Sequence, residues 1–148
     1  MTLTERIEIN PAVMMGKPVV VGTRIPVELI TRKLSQGESE ADLLEAYPRL
    51  TREDIRTARA LGDLCRAFRV RELALFGSVL REDFRPDSDL DFLVEFEPGT
   101  AVGLLMLARL RRELESLFNR PVDLVPRSSL KAGLRKEIVD HARTLYAA

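Results

Sequence analysis

The chain has 148 residues and carries 23 Lys and Arg against 23 Asp and Glu, so its formal net charge is zero. That balance argues against a surface that binds nucleic acid throughout, and 45% hydrophobic with 31% charged content argues against disorder. Cys65 is the single cysteine, which excludes an internal disulfide and a zinc site built on several thiolates. There is no long apolar run, signal-type segment, internal repeat or low-complexity tract, so the expectation is a cytoplasmic protein with no membrane partner.

In chain order, MGKPVVVGTRIPVELI (15–30) begins with a β-branched run between glycines and turns at Gly22-Thr23. It enters a helix near Pro26, where proline suits the first turn. That helix is expected to reach Gln36 and stop at Gly37. Ser39 with Asp42, and Thr51 with Asp54, repeat the spacing of a capping box and predict two further helices. Three short helices with tight turns after a short β hairpin predict a helix-turn-helix-like unit over residues 1–64. Arg49, Arg52, Arg56 and Arg59 make a basic run near the third helix, interrupted by Glu53 and Asp54. They are candidates for operator DNA, although a charged face is more often simply solvated. GKPVVVGTRIPVELI and AYPRLTREDI resemble the family called domain of unknown function 433, common in toxin–antitoxin loci, and that resemblance implies an antitoxin-like module.

Ile55, Ala58, Leu61, Cys65 and Phe68 recur at helical spacing, so the third helix is predicted to run from Thr51 to Phe68. It crosses into a second unit, residues 65–148, and should hold the two at a fixed angle.

The second unit opens with LALF (73–76), a strand-type run ending at Gly77, where backbone can approach a ligand with no Cβ in the way. Ser78 then starts a polar segment whose N–H groups and hydroxyl can face a phosphate, helped by the positive end of a short helix. DLDFLVEF (89–96) reads as the next strand, with Leu90, Phe92, Val94 and Phe96 on one face and Asp89 and Asp91 on the other. Two carboxylates ~4 Å apart at an effective dielectric near 20 repel by about 4 kcal/mol. Such a pair either diverges into water or shares a divalent cation, and Mg²⁺ is suited to one or two carboxylates plus phosphate oxygens. Asp123 in PVDLV (121–125) is a third acid. If its strand neighbours 89–96, three carboxylates meet opposite the Gly-Ser turn in the layout of a two-metal phosphoryl- or nucleotidyl-transfer site.

Between the last two strands, Leu104, Leu107, Leu110, Leu114 and Leu117 predict an amphipathic helix with a core-facing stripe, ended by Asn119-Arg120-Pro121. A last helix is predicted from Ser129 to Tyr146, with Leu130, Leu134, Ile138 and Ala142 at helical spacing. The fold class is therefore α+β, with a small mixed sheet and helices on one side. His141 is the only histidine, on a helix that can simply expose it.

FGSVLREDFRPDSDLDFLVEFEPG (76–99) resembles the minimal nucleotidyltransferases of the DNA polymerase beta superfamily, in particular the antitoxins paired with HEPN-domain toxins. The resemblance covers roughly residues 65–148. It implies that Gly77 and Ser78 hold the triphosphate of ATP, with Arg81 at a matching phosphate-side position. It implies that Asp89 and Asp91 hold Mg²⁺ and that Asp123 completes the metal site or helps deprotonate the acceptor. The activity implied is transfer of AMP to a tyrosine of a cognate HEPN RNase toxin, within a hetero-complex. The alternative is a toxin-binding antitoxin without catalysis that also represses its own operon. Transfer to a small molecule such as an aminoglycoside ranks last, because it usually needs a larger acceptor domain. The sequence departs from many relatives at Val79 and Glu82, where a basic residue and a glycine are usual, so it has one positive charge fewer near the phosphates.

Overall fold

The computed structural model describes residues 3–4, 6–81, 85 and 87–148. The first strands, β1 (Ile7–Glu8) and β2 (Val19–Val20), form a short antiparallel hairpin in which Ile7 faces Val20. Three helices follow: α1 (Val27–Ser35), α2 (Glu40–Ala46) and α3 (Arg52–Ala67). Both predicted capping boxes are present. Ser39 Oγ accepts from Asp42 N–H at 3.0 Å and Thr51 Oγ1 accepts from Asp54 N–H at 3.2 Å, while each Asp accepts in return from the cap residue's N–H. Each box satisfies two orphan donors of a helix start. Asp54 is buried and lies 3.8 Å from Arg6, so this cap also ties the hairpin to α3.

From α3 the chain reverses at Arg69, which adopts a left-handed φ of 57°, and enters β3 (Val70–Phe76). A four-residue helical turn, Gly77–Leu80, leads on toward β4 (Leu90–Phe96). After β4 come α4 (Leu104–Phe118), β5 (Val122–Pro126), α5 (Ala132–His141) and β6 (Arg143–Ala147). Strand order in the sheet is β5-β4-β3-β6, with β4–β5 parallel and the other two pairs antiparallel. The architecture is the expected α+β fold with a mixed sheet.

A single apolar cluster unites hairpin, helices and sheet. It includes Ile7, Ile30, Ile55, Leu61 and Cys65 from the first half, and Leu73, Leu90, Phe92, Leu110 and Leu145 from the second. Phe92 meets Phe118 of α4 at a ring-centroid distance of 5.3 Å in a tilted pair. Ile55, Ala58, Leu61 and Cys65 are all buried along one face of α3, the periodicity expected of them.

Two expectations are corrected. The last helix does not reach Tyr146: it stops at His141, and Arg143–Ala147 pairs with β3 as an edge strand, burying Leu145 and Tyr146. Helical spacing in this segment came from residues that pack little, for α5 buries none and Leu134 is 54% exposed. The unpaired side of β3 supplies a ladder of hydrogen bonds that a local pattern cannot reveal. The α4 stripe is also core only toward its C-terminal end. Leu110, Leu114 and Phe118 are buried, whereas Leu104 and Leu105 are 87% and 72% exposed.

Candidate active site

The site lies where β3 ends, at the edge shared with the start of β4 and β5. Asp91 pairs with Phe76 on one side and with Asp123 on the other. The β4–β5 register runs without a shift from Leu90↔Val122 to Val94↔Pro126, so Asp91 and Asp123 project from the same face. Local contacts hold that register. Leu90 N–H donates to Pro121 O at 2.9 Å, and Glu115 of α4 accepts from Val122 N–H at 3.0 Å. Asn119, at φ 52° just past α4, makes the reversal that delivers the chain to β5.

Gly77 has φ +73°, a conformation that glycine adopts without strain. A Cβ at this position would overlap the Asp91 carboxylate, so Asp91 rests against bare backbone. Ser78 N–H points at Asp91 Oδ2 at 3.4 Å, and Ser78 Oγ approaches the Asp89 carbonyl at 3.4 Å. Both contacts are long, so the turn's donors are only weakly engaged. The short helix expected here is a four-residue helical turn, Gly77–Leu80, which leaves little macrodipole to add to these N–H groups.

Burial pushes the Asp91 carboxyl above the ordinary carboxylate range. The Ser78 N–H and the Arg81 guanidinium work against that shift, while the negative charges of Asp123 and Asp89 reinforce it. Asp91 therefore feels both other acids, and a cation would relieve it. Among the described residues, no three His, Cys, Asp or Glu side chains close into a cluster that could hold a metal by itself. Mg²⁺ does not require one, since it is usually held by one or two carboxylates together with substrate phosphates. Oxygen donors at mutually repelling carboxylates beside a glycine turn with weakly engaged N–H groups fit that ion in kind.

The remaining residues singled out in the sequence have plain positions. Glu82 lies outside the described residues. Val79 is buried in the core cluster, so it serves packing. His141 is exposed and its Nδ1 lies 2.8 Å from Glu137 O, an ordinary helix-end contact. Cys65 is fully buried and its thiol is pushed up to about 12 by burial, partly offset by Arg66. Arg49, Arg52, Arg56 and Arg59 are all exposed, with Arg56 3.8 Å from Glu53. Among the described residues, no helix is long and apolar enough to cross a membrane. Arg143, which sequence periodicity assigned to a helix, instead starts β6 beside the Gly77–Leu80 turn.

Two family profiles divide the chain. That of a protein of unknown function (DUF433) matches residues 7–60, and that of the nucleotidyltransferase domain matches residues 58–145. The two matches meet inside α3. The chain is 43% identical over 77 residues to the protein adenylyltransferase MntA of Thermococcus cleftensis, covering 52% of this chain and 76% of that protein. It is 37% identical over 73 residues to a Methanocaldococcus jannaschii protein provisionally named a protein adenylyltransferase, covering 49% of this chain and 76% of that one. A crystal structure of a toxin–antitoxin with AMP-PNP contains a chain of similar fold, with a TM-score of 0.50 at 23% identity, covering 60% of this chain and 72% of its own length. With more than half of its residues matched by the nucleotidyltransferase-domain profile, the chain belongs to the nucleotidyltransferase-domain family.

Proposed function

We propose that this chain is a Mg²⁺-dependent antitoxin nucleotidyltransferase that transfers AMP from ATP to a tyrosine hydroxyl of a cognate HEPN RNase toxin and thereby silences it. The observation that carries the reading is the in-register pairing of Asp91 with Asp123 beside the glycine turn whose Ser78 N–H reaches Asp91. Similarity to a named protein adenylyltransferase supports the reaction class, and the HEPN partner follows from the resemblance of residues 76–99.

In this reading Gly77 and Ser78 receive the triphosphate, and Arg81 offsets its charge from the same turn. Asp89, Asp91 and Asp123 would hold Mg²⁺, which would supply neutralisation of the phosphate charge. The acceptor oxygen attacks the α-phosphorus in line, a P–O bond forms, the bond to the β-phosphate breaks and pyrophosphate leaves. Asp123, exposed at the rim of the site, takes the hydroxyl proton. Most of the rate comes from positioning and electrostatics. Residues 65–148 form the transferase and residues 1–64 the antitoxin-like unit, the boundary falling in α3, and the protein works in the cytoplasm in complex with its toxin.

The test is incubation of the protein with α-labelled ATP, Mg²⁺ and the HEPN protein encoded beside it. Label should appear on the toxin, and the double variant Asp89→Asn, Asp91→Asn should transfer none. If that variant still protects cells from the toxin, transfer is dispensable. The second reading, a non-catalytic toxin binder that represses its operon, then takes over. Four exposed arginines on the N-terminal unit favour that reading's DNA contact, which should be salt-dependent. A gel shift showing no retardation of the upstream promoter region at low salt would remove it.

A further inference from the structure

A cleft of about 520 Å³ opens between the C-terminal part of the Gly77–Leu80 turn and the N-terminal hairpin, a volume in the range of small-ligand sites. The three acids are not part of its lining. Its floor is Leu80 and Arg81 from that turn and Arg143 from β6, and its outer wall is the loop Asn10–Gly16 of the N-terminal hairpin. Among the described residues, two guanidinium groups and no carboxylate line it.

Two features mark the cleft as built for a ligand. Met14, Met15 and Gly16 take left-handed φ values of 49°, 56° and 82° in succession, a sequence of conformations that two non-glycine residues adopt only under constraint. This turn carries Met15, 86% exposed, along the rim and lets the Gly16 backbone lie against the Arg143 guanidinium. Arg143 is in turn aimed by its own backbone neighbours. Its Nη1 donates to His141 O at 2.7 Å and Ala142 O at 3.3 Å, which leaves Nε, beside Gly16, and Nη2 without a hydrogen-bond partner, and Arg143 has no carboxylate partner, among the described residues. An oriented guanidinium with donors to spare is matched to phosphate oxygens.

We infer that Arg143 and Arg81, walled by the Met14–Gly16 turn, form a phosphate-binding pocket shared by the two units of the chain. Its ligand is a phosphate or pyrophosphate group. That group has two possible sources: the far end of a triphosphate lying across Gly77-Ser78, or a separate phosphate-bearing small molecule. In the first case Arg143 supplies from β6 the positive charge that Val79 does not provide after the serine. Because Arg81 also acts on Asp91, an anion here raises the negative potential around the acids. The pocket stands on its own residues, whether or not the chain transfers AMP.

Calorimetric titration of the full-length protein with pyrophosphate, inorganic phosphate, ATP and AMP tests this. Arg143→Ala should weaken pyrophosphate uptake roughly 10- to 100-fold, the loss of one or two charge-assisted hydrogen bonds, with Arg143→Lys recovering part of it. Met15→Glu, at an exposed position where packing is untouched, should weaken it several-fold at low salt and less at high salt. Thermal melts verify that each variant is folded. If ATP affinity falls in step while AMP affinity holds, the pocket receives the nucleotide's phosphate end. If ATP is unaffected, it serves a separate ligand. Wild-type protein that takes up no pyrophosphate, or variants at both Arg143 and Met15 that bind it like wild type, overturns the inference. Wild-type protein that binds pyrophosphate but no ATP preserves the pocket and sinks the transferase reading instead.

Discussion

Asp91 and Asp123 stand directly opposite each other on the parallel strands β4 and β5, although the whole of α4 separates them in sequence. A parallel pair needs such a crossover, so the seating of α4 on the sheet decides which residues meet. Slipping β5 by one residue would turn Asp123 to the opposite face and dissolve the acidic patch. Packing of Leu110, Leu114 and Phe118 thus places the acids of the proposed site as well as closing the core.

Asp91 is held at a cost to folding. Its carboxyl is raised by burial and by Asp123 and Asp89, so ionising it costs the native state more than it costs the unfolded chain. For an acid raised in this way, the penalty is full above the folded value and vanishes once both states are protonated. Asp91→Asn should therefore raise the melting temperature of metal-free protein at pH 7. The gain should be no more than about 1 kcal/mol, because solvent reaches the half-buried group. The difference from wild type should close as pH falls below about 4. A melting temperature lowered at pH 7 would contradict this, and nucleotide transfer should be lost in either case.

Gly77→Ala should damage both stability and site. The left-handed φ costs a non-glycine residue about 1–3 kcal/mol, and the new methyl drives the Asp91 carboxylate aside. Urea unfolding should show a lower midpoint with an unchanged m-value, together with weakened ATP binding. Wild-type stability in this variant would mean that the turn is not built as described.

The two C-terminal leucines should behave oppositely. Leu145→Ala in β6 removes a fully buried side chain and should cost about 2–5 kcal/mol. Leu134→Ala in α5 should stay within about 0.5 kcal/mol, as surface substitutions do. Equal effects in denaturant titrations would favour a continuous helix to Tyr146 over the strand.

Cys65 should be inert in the native state. Burial removes access and pushes the thiol to about 12, so essentially no thiolate forms at neutral pH. Iodoacetamide at pH 8 should label the protein only in denaturant. A thiol raised in this way also withdraws stability as pH climbs above its ordinary value of 9.0, so the protein should melt earlier in strong alkali.

Much of the fold is written locally. Ser39 with Asp42 and Thr51 with Asp54 specify helix starts through side chains three residues away, and the structure forms both boxes. The period-two alternation of 89–96 puts its apolar residues on one face without reference to the rest of the chain, and Leu90, Phe92 and Val94 are buried accordingly. The α3 periodicity, likewise local, carries one helix through the overlap of the two family matches.

What the amino-acid order determined by itself was of this kind: caps, turns, alternation, and the identity of the acids and the glycine turn. Tertiary structure alone decided the partner of each strand. Residues 143–147 became a strand because β3 offered an open edge, and the hydrogen bonds made there outweigh a weak helical preference. The first turn of α4 stayed exposed because, among the described residues, no element covers Leu104 and Leu105. Such outcomes depend on which distant backbone arrives alongside, and no window of neighbouring residues contains that information.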